Sequence, residues 1–170
     1  LTDYLFSAGV EPTLPSLNEF VLSCMKNYFI DNQYYGMNKL IMPFLRIFYC
    51  HCLKKTKRCA DILKGTNFLP YSDFEEVVSC GKEVIDLGVK MGEGWVIPAE
   101  MVDYARHGVK NIVVVQPFGC LPNHIVGKGM IRPVKQLCPE ANIVPLDFDA
   151  SSNSVNQENR LKLMLSNIEE

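Results

Sequence analysis

Hydrophobic residues recur along the first half of the chain with the period of an α-helix. Ser16 followed three residues later by Glu19 has the spacing of a capping box, which predicts that a helix begins there. A second periodic stretch covers residues 40–63, and Pro43 falls in its first turn, where proline is tolerated. The apolar positions at helical spacing in these stretches are Leu17, Phe20, Val21, Cys24 and Tyr28, then Leu40, Ile41, Phe44, Leu45, Phe48, Cys52, Cys59 and Ile62. Residues 1–91 are therefore predicted to form a mainly helical portion.

Shorter elements are predicted on either side of these two helices. Residues 1–8 have the character of the last turns of a helix, and residues 10–14 of a short strand made irregular by proline. A helix is predicted from about residue 72 to 79, and a separate helical segment after Gly81. The inward side of the first of these segments is expected to carry Phe74, Val77 and Val78.

The second half alternates between strand and helix patterns. Ile112–Val115 is a continuous β-branched run, which predicts a strand buried on both faces. Ile143–Leu146 predicts a second buried strand. Helical patterns precede the first strand, join the two strands and follow the second, where Ser154 and Gln157 have capping-box spacing. Residues 92–170 are therefore predicted to form a doubly wound α/β unit.

Length and composition favour one α/β domain or part-domain with a Rossmann-like parallel sheet. The 170 residues are 48% hydrophobic, which is enough to bury a core. We expect at least three or four strands flanked by helices, with residues 1–91 as an added helical portion. The net charge of −2 provides no basic surface for nucleic acid and no polybasic membrane patch. No apolar run approaches the roughly 20 residues that span a bilayer.

Cysteine usage and the first residue bear on the origin of the chain. The seven cysteines are odd in number and irregularly spaced, which favours reduced thiols in a cytoplasmic protein over a disulfide framework. The sequence opens at Leu1 with no signal peptide before it, so we expect a piece of a longer protein.

The residues that follow the two predicted strands carry the candidate chemistry. Ligands collect beyond the carboxyl ends of strands in an open α/β sheet, and Cys120 follows the first strand there. Pro122 then begins a helix, so Cys120 is placed for metal binding or thiol chemistry. Asp147 and Asp149 end the second strand on the same edge. They are suited either to hold a metal or ligand, or only to form a turn.

The remaining cysteines and the basic run have plainer interpretations. Cys50, His51, Cys52 and Cys59 suggest zinc, but residues two apart on a helix point to nearly opposite sides. We expect the three cysteines to be buried in the helix and to behave as small hydrophobes. We interpret Cys24, Cys80 and Cys138 in the same way. The basic residues 54–58 are predicted to form a solvated face, and His107 to end a helix rather than bind a ligand.

Several motifs in residues 92–165 match those of one protein family. They are Gly92–Trp95, Pro98–Met101, the nearly unbroken block Gln116–Gly129, Pro139–Val144, Asn156–Gln157 and Asn159–Ser166. In these motifs the chain resembles the acyl-CoA dehydratase activase-related proteins, relatives of 2-hydroxyglutaryl-CoA dehydratase and benzoyl-CoA reductase. The resemblance places the chain in the carboxyl half of a dehydratase-like domain, which is often fused behind an ATPase activase.

The resemblance implies an iron–sulfur role. Family members carry 4Fe-4S or double-cubane clusters held mainly by cysteine thiolates, and Cys120 matches the cysteine of the family signature. Gly119 and His124 lie in the same block, so they join Cys120 as cofactor-binding candidates. Asp147 and Asp149 match an Asp-x-Asp pair that the family follows with Pro-Gly, whereas residues 150–153 here are Ala-Ser-Ser-Asn. Because a cubane usually has four protein ligands, the other ligands are expected outside this sequence.

The expected function is a part of an iron–sulfur component in anaerobic metabolism. It would accept electrons from an ATP-driven activase for reduction or dehydration of a substrate such as an acyl-CoA. The isolated piece is expected to be inactive and to hold no cluster. Two alternatives remain open: a structural or docking α/β domain without chemistry, and a thiol enzyme that uses Cys120 with His124 as base.

Overall fold

The computed structural model describes residues 1–36, 39–70, 72–149 and 155–167, and the chain forms two compact units, Leu1–Phe74 and Glu75–Glu170. The helices of the described ranges are α1 Thr2–Ser7, α2 Leu17–Tyr35, α3 Met42–Leu63, α4 Phe74–Val84, α5 Val96–Arg106, α6 Leu121–Val126, α7 Ile131–Leu137 and α8 Val155–Leu165. The strands are β1 Asn111–Pro117 and β2 Asn142–Phe148, and a 3-10 turn covers Lys128–Met130.

The first unit is built on α2 and α3, which pack against each other. The predicted capping box begins α2: the Ser16 hydroxyl accepts from the Glu19 backbone N–H at 3.1 Å, and the Glu19 carboxylate accepts from the Ser16 N–H at 3.0 Å. Gly36 ends α2 in the left-handed conformation at φ 66°. Between the helices, Phe29 and Tyr49 meet edge to face with ring centroids 5.2 Å apart.

The apolar stripes predicted for α2 and α3 are not the faces that become buried. In α3 the buried side chains are Tyr49, Thr56 and Ala60, whereas Phe44 is 75% exposed and Phe48 57% exposed. In α2 the buried apolar side chains are Leu22, Met25 and Ile30. Residues that are exposed despite the apolar pattern are Leu17, Phe20, Val21, Cys24, Tyr28, Leu40, Ile41, Cys59 and Ile62. The buried face of α3 thus combines an aromatic, a polar and a small side chain, a mixture that apolar periodicity does not detect.

Two smaller predictions for the first unit have opposite outcomes. The strand predicted for residues 10–14 is wrong, since these residues have no regular structure. Pro12 cannot donate to a sheet, and no strand lies beside them in the part of the unit that the structure describes. The four basic residues within 54–58 are exposed as predicted, and Thr56, which lies between them, is buried.

The second unit holds a parallel pair of strands. Asn111 of β1 lies opposite Asn142 of β2, and the register continues to Pro117 opposite Phe148. The connection from β1 to β2 runs through α6, the 3-10 turn and α7, as expected for a parallel crossover. A mixed helix-and-strand fold with a parallel sheet is thus confirmed, whereas the described residues contain two strands rather than the predicted three or four.

The strand β1 is buried on one face at its carboxyl end, not on both. Val114 and Gln116 are buried, while Val115 is 51% exposed and Pro117 is exposed. Side chains alternate between the two faces of a strand, so Val114 and Gln116 point to the same covered face. The core on that face is formed by Cys80, Met101, Val102, Val114, Val134, Ala141 and Ile143.

The helices α4 and α5 pack closely around a tryptophan. Trp95 has no exposed surface, and a Cβ atom on Gly81 would lie 2.9 Å from its ring. The helix α4 is continuous through Gly81. The prediction of two separate helical segments on either side of Gly81 is therefore wrong. Phe74, Val77 and Val78 are buried as predicted. His107 caps the end of α5, which agrees with its predicted place.

The capping box predicted at Ser154 and the loop 150–153 lie outside the described residues. The helix α8 that follows buries Leu161 and Met164, as its pattern predicts. Within the described ranges, none of the helices combines the length and the apolar character that crossing a lipid bilayer requires.

Candidate functional site

The carboxyl ends of β1 and β2 bring Gln116 and Asp147 side by side. These two residues are register partners in the parallel pair, and the Gln116 Nε2 donates a hydrogen bond to the Asp147 Oδ1. Beyond them the Phe118 N–H donates to the Phe148 carbonyl at 2.9 Å, so the chain leaves the sheet at a fixed angle. The predicted edge therefore exists, and we call the group Gln116, Cys120, His124, Lys128 and Asp147 the rim site.

A tight turn places Cys120 at the start of α6. Gly119 adopts φ 74°, a left-handed conformation that favours glycine, and the Cys120 N–H donates to the Pro117 carbonyl at 3.1 Å. Cys120 is the residue before the first turn of α6 and has extended backbone angles. Its side chain makes no capping hydrogen bond and is half-buried. The predicted position of Cys120, between strand end and helix start, is confirmed.

The Gly92–Trp95 motif lies against this turn. A Cβ atom on Gly92 would lie 3.2 Å from the Pro122 Cβ, so this loop passes close to the first turn of α6. The Trp95 N–H donates to the Val89 carbonyl at 2.8 Å, which closes the loop. Two sequence motifs far apart in the chain thus support the same corner of the sheet.

His124 links the Cys120 backbone with Asp147. Its Nδ1 lies 2.9 Å from the Cys120 carbonyl oxygen, and its Nε2 lies 3.6 Å from the Asp147 Oδ1. A carbonyl only accepts hydrogen bonds, so Nδ1 must carry a proton. Among the described residues, the sulfur of Cys120 receives no hydrogen bond, from His124 or from any other donor. The ring therefore orients the turn through its backbone.

Asp147 is the residue to which the other polar groups of the rim site converge. The Nζ of Lys128 lies 3.9 Å from the Asp147 Oδ2. The backbone carbonyl of Asp147 accepts a hydrogen bond from the Gln157 Nε2 at 2.9 Å. Gln116 is completely buried, and its Oε1 has no hydrogen-bond partner within the described ranges. The rim site therefore combines a carboxylate, two basic side chains and a buried amide.

Sequence reasoning missed three of these contacts. Gln116 and Lys128 were part of matching motifs but had no assigned role, and Gln157 was predicted only as the partner of Ser154 in a capping box. The available signal was a polar residue at the end of an otherwise apolar strand, since Gln116 has nothing but β-branched residues in the four positions before it. Asp149 is exposed and follows the strand, and neither it nor Asp147 belongs to a group of three metal-ligating side chains in the described ranges.

The rim site contains one cysteine, Cys120. No group of three potential metal-ligating side chains in the described part of the chain includes Cys120. Because a cubane usually takes four protein ligands, these residues by themselves do not fit a complete cluster. They offer at most one of those ligands, so the other three would have to come from elsewhere.

The helical cysteines differ in burial more than predicted. Cys80 is buried and Cys52 and Cys138 are half-buried, in line with packing roles. The prediction is wrong for Cys24, Cys50 and Cys59, which are exposed. For Cys59 the reason is that it shares an exposed face of α3 with Phe48, and Cys24 likewise lies on an exposed face of α2.

The first unit also has a concave surface. It is an open groove of about 950 Å³ between α2 and α3, with Phe29, Met42 and Ile47 as apolar lining. Cationic side chains also line it, namely Lys39, Arg46 and Lys54. No residue of the rim site lies in this groove.

Comparison of the chain with protein-family models, with curated proteins and with solved structures finds no match.

Proposed function

We propose that Cys120 is one ligand of an iron–sulfur cluster in a component related to the 2-hydroxyacyl-CoA dehydratases. The observation that carries the proposal is the position of Cys120 at the carboxyl end of β1, half-buried and without a hydrogen bond to its sulfur among the described residues. A thiolate in that state is available to a metal. The sequence resemblance over Gln116–Gly129 supports the same assignment.

The other residues of the rim site would position the ligand. Gly119 permits the turn, and the His124 hydrogen bond to the Cys120 carbonyl holds the backbone that carries the sulfur. The remaining cluster ligands would come from residues outside the rim site. When bound, an iron–sulfur cluster supplies one-electron transfer. The proposal includes an ATP-driven activase as electron donor, a substrate such as an acyl-CoA, and a cytoplasmic location.

The geometry favours this proposal over a thiol enzyme. A thiol–imidazole pair needs a hydrogen bond between sulfur and ring nitrogen. Here one nitrogen of His124 contacts a backbone carbonyl and the other faces Asp147. A structural or docking role without chemistry is the other alternative, and iron content separates it from the cluster.

The test compares two variants of the full-length protein, each with one cysteine replaced. Both are purified without oxygen. Cys120→Ala should lower bound iron and abolish activase-dependent electron uptake, because a ligand is lost. It should keep the free energy of unfolding within about 1 kcal/mol, since a rim sulfur opens little cavity. The measurements are iron analysis, reduction kinetics and urea unfolding.

Cys138→Ala is the matched control. Cys138 is also half-buried and belongs to the same unit, but it packs against the core and follows α7. It should keep iron and electron uptake. Full iron and full uptake in Cys120→Ala would overturn the cluster assignment. If the wild type contains no iron, and Cys120 is alkylated fast in a way that depends on His124, the thiol enzyme is favoured.

A further inference from the structure

Three metal-ligating side chains converge between α4 and α5, outside the rim site. The helix α4 supplies Glu76, and α5 with its C-terminal cap supplies Asp103 and His107. One ligand atom from each of the three lies within 4.8 Å of the other two. Asp103 and His107 are four residues apart, which places them on one face of the helix end. This convergence of two carboxylates and an imidazole requires an explanation.

Asp103 is the buried member of the group. Its residue surface is 5% exposed, and its Oδ1 lies 3.5 Å from the His107 Nδ1. Burying a carboxylate is costly unless it pairs with positive charge or coordinates a metal. The neighbouring His107 carries an imidazole, which is itself a common metal ligand.

The tautomer of His107 suits coordination. Its Nδ1 lies 2.9 Å from the Asp103 backbone carbonyl, and since a carbonyl only accepts, Nδ1 carries the proton. In the neutral ring, the lone pair is then on Nε2. Metal-ligating histidines in proteins usually have this arrangement, with one ring N–H donated to a carbonyl or carboxylate.

Arg106, which precedes His107 in the chain, forms an ion pair with Glu83. Arg106 makes two hydrogen bonds of 2.8 Å to the Glu83 carboxylate and lies 3.5 Å from the Cys80 sulfur. The hydrogen bond from Arg106 lowers the pKa of Glu83 and raises that of Arg106, while burial raises the pKa of the Cys80 thiol. In the described ranges Glu76 has no hydrogen bond or ion pair. A bound cation would therefore relieve the approach of two carboxylates.

We infer that Glu76, Asp103 and His107 bind a divalent first-row transition-metal ion. Two carboxylates and one imidazole are hard-to-borderline ligands that suit Mn²⁺, Fe²⁺, Co²⁺ or Zn²⁺, and three protein ligands leave positions for water. The ion would tie the start of α4 to the end of α5. This site does not depend on the proposed iron–sulfur role of Cys120.

The test uses Co²⁺ as the only added metal and the full chain. Cobalt bound to nitrogen and oxygen ligands gives visible d–d absorption, whereas binding at a cysteine adds thiolate-to-cobalt charge transfer in the near ultraviolet. The wild type should show saturable d–d absorption without that charge transfer. Glu76→Gln and His107→Ala should each weaken Co²⁺ binding by about tenfold or more. Both side chains are exposed enough for the variants to fold, which circular dichroism checks.

Glu75→Gln and His51→Ala are the matched controls. Glu75 is the neighbour of Glu76 in the same turn of α4, and His51 is an exposed histidine of α3. Both controls should bind Co²⁺ like the wild type. The inference is overturned if the wild type shows no d–d absorption, shows only the thiolate band, or loses no affinity in Glu76→Gln and His107→Ala.

Discussion

Asp147 has several partners, and they differ in what they contribute to stability. Its hydrogen bond with Gln116 is the most protected of them, because Gln116 has no exposed surface. Its contacts with His124 at 3.6 Å and Lys128 at 3.9 Å are longer and nearer to solvent. Partly exposed ion pairs are worth about 0–1 kcal/mol, whereas a buried polar group left without a partner costs about 1–3 kcal/mol.

This difference leads to a prediction for two substitutions of Asp147. Asp147→Asn keeps an acceptor for the Gln116 amide and should lower the free energy of unfolding by about 1 kcal/mol or less. Asp147→Ala leaves that buried amide without a partner and should cost about 2–3 kcal/mol. Urea unfolding of both variants checks the order. Equal losses would mean that the Gln116 hydrogen bond contributes nothing.

At the scale of the elements, close contact between α4 and α5 depends on Gly81. Glycine inside a helix normally lowers stability, so replacing it with alanine on an open face is favourable by about 1 kcal/mol. Here a Cβ atom would lie 2.9 Å from the Trp95 ring, 3.2 Å from Leu87 and 3.3 Å from Ala99. The steric term therefore opposes the helix propensity.

We predict that Gly81→Ala destabilises the second unit despite its higher helix propensity. Overpacking costs about 1–3 kcal/mol and the propensity gain is about 1 kcal/mol, so the net loss of stability should be up to about 2 kcal/mol. Gly65→Ala is the control, because no atom lies within 4 Å of a Cβ at that position. It should be neutral or slightly stabilising. Thermal unfolding followed by Trp95 fluorescence measures the stability of Gly81→Ala. Circular dichroism measures that of Gly65→Ala. A stabilised Gly81→Ala would contradict the packing.

At the scale of the whole molecule, each of the two units has its own buried side chains. In the first unit Tyr49 packs on Phe29, and Lys26 lies 5.7 Å from the Tyr49 ring centre. In the second unit the core surrounds the parallel strands. Trp95, the one tryptophan of the sequence, belongs to the second unit and reports on it alone.

These separate cores lead us to expect separate effects of mutation. Tyr49→Ala should destabilise the first unit by about 3 kcal/mol, because it removes a buried aromatic ring. Phe48→Ala, its exposed neighbour in the same helix, should change stability by no more than about 0.5 kcal/mol. Circular dichroism should show an earlier helical transition for Tyr49→Ala, with the Trp95 fluorescence midpoint unchanged. A parallel shift of the fluorescence midpoint would show that the two units unfold as one.

Local signals in the sequence determined the elements of this protein. The Ser16 and Glu19 capping box, the apolar runs of β1 and β2, and the turn at Gly119 and Cys120 act over a few neighbouring residues. Their energetics are local, so the sequence alone located helix starts, strands and the edge with Cys120. The iron–sulfur role rests on resemblance and stays a prediction.

Only the tertiary structure decided which faces are covered and which distant side chains meet. Periodicity marked Phe44 and Phe48 as a packing stripe, but the side chains that become buried are Tyr49 and Ala60. The contact of Gln116 with Asp147 depends on strand register, and the convergence of Glu76 with His107 depends on helix packing. These contacts join residues that lie about thirty positions apart in the chain. Their geometry follows from the packing of whole elements, which no local pattern contains.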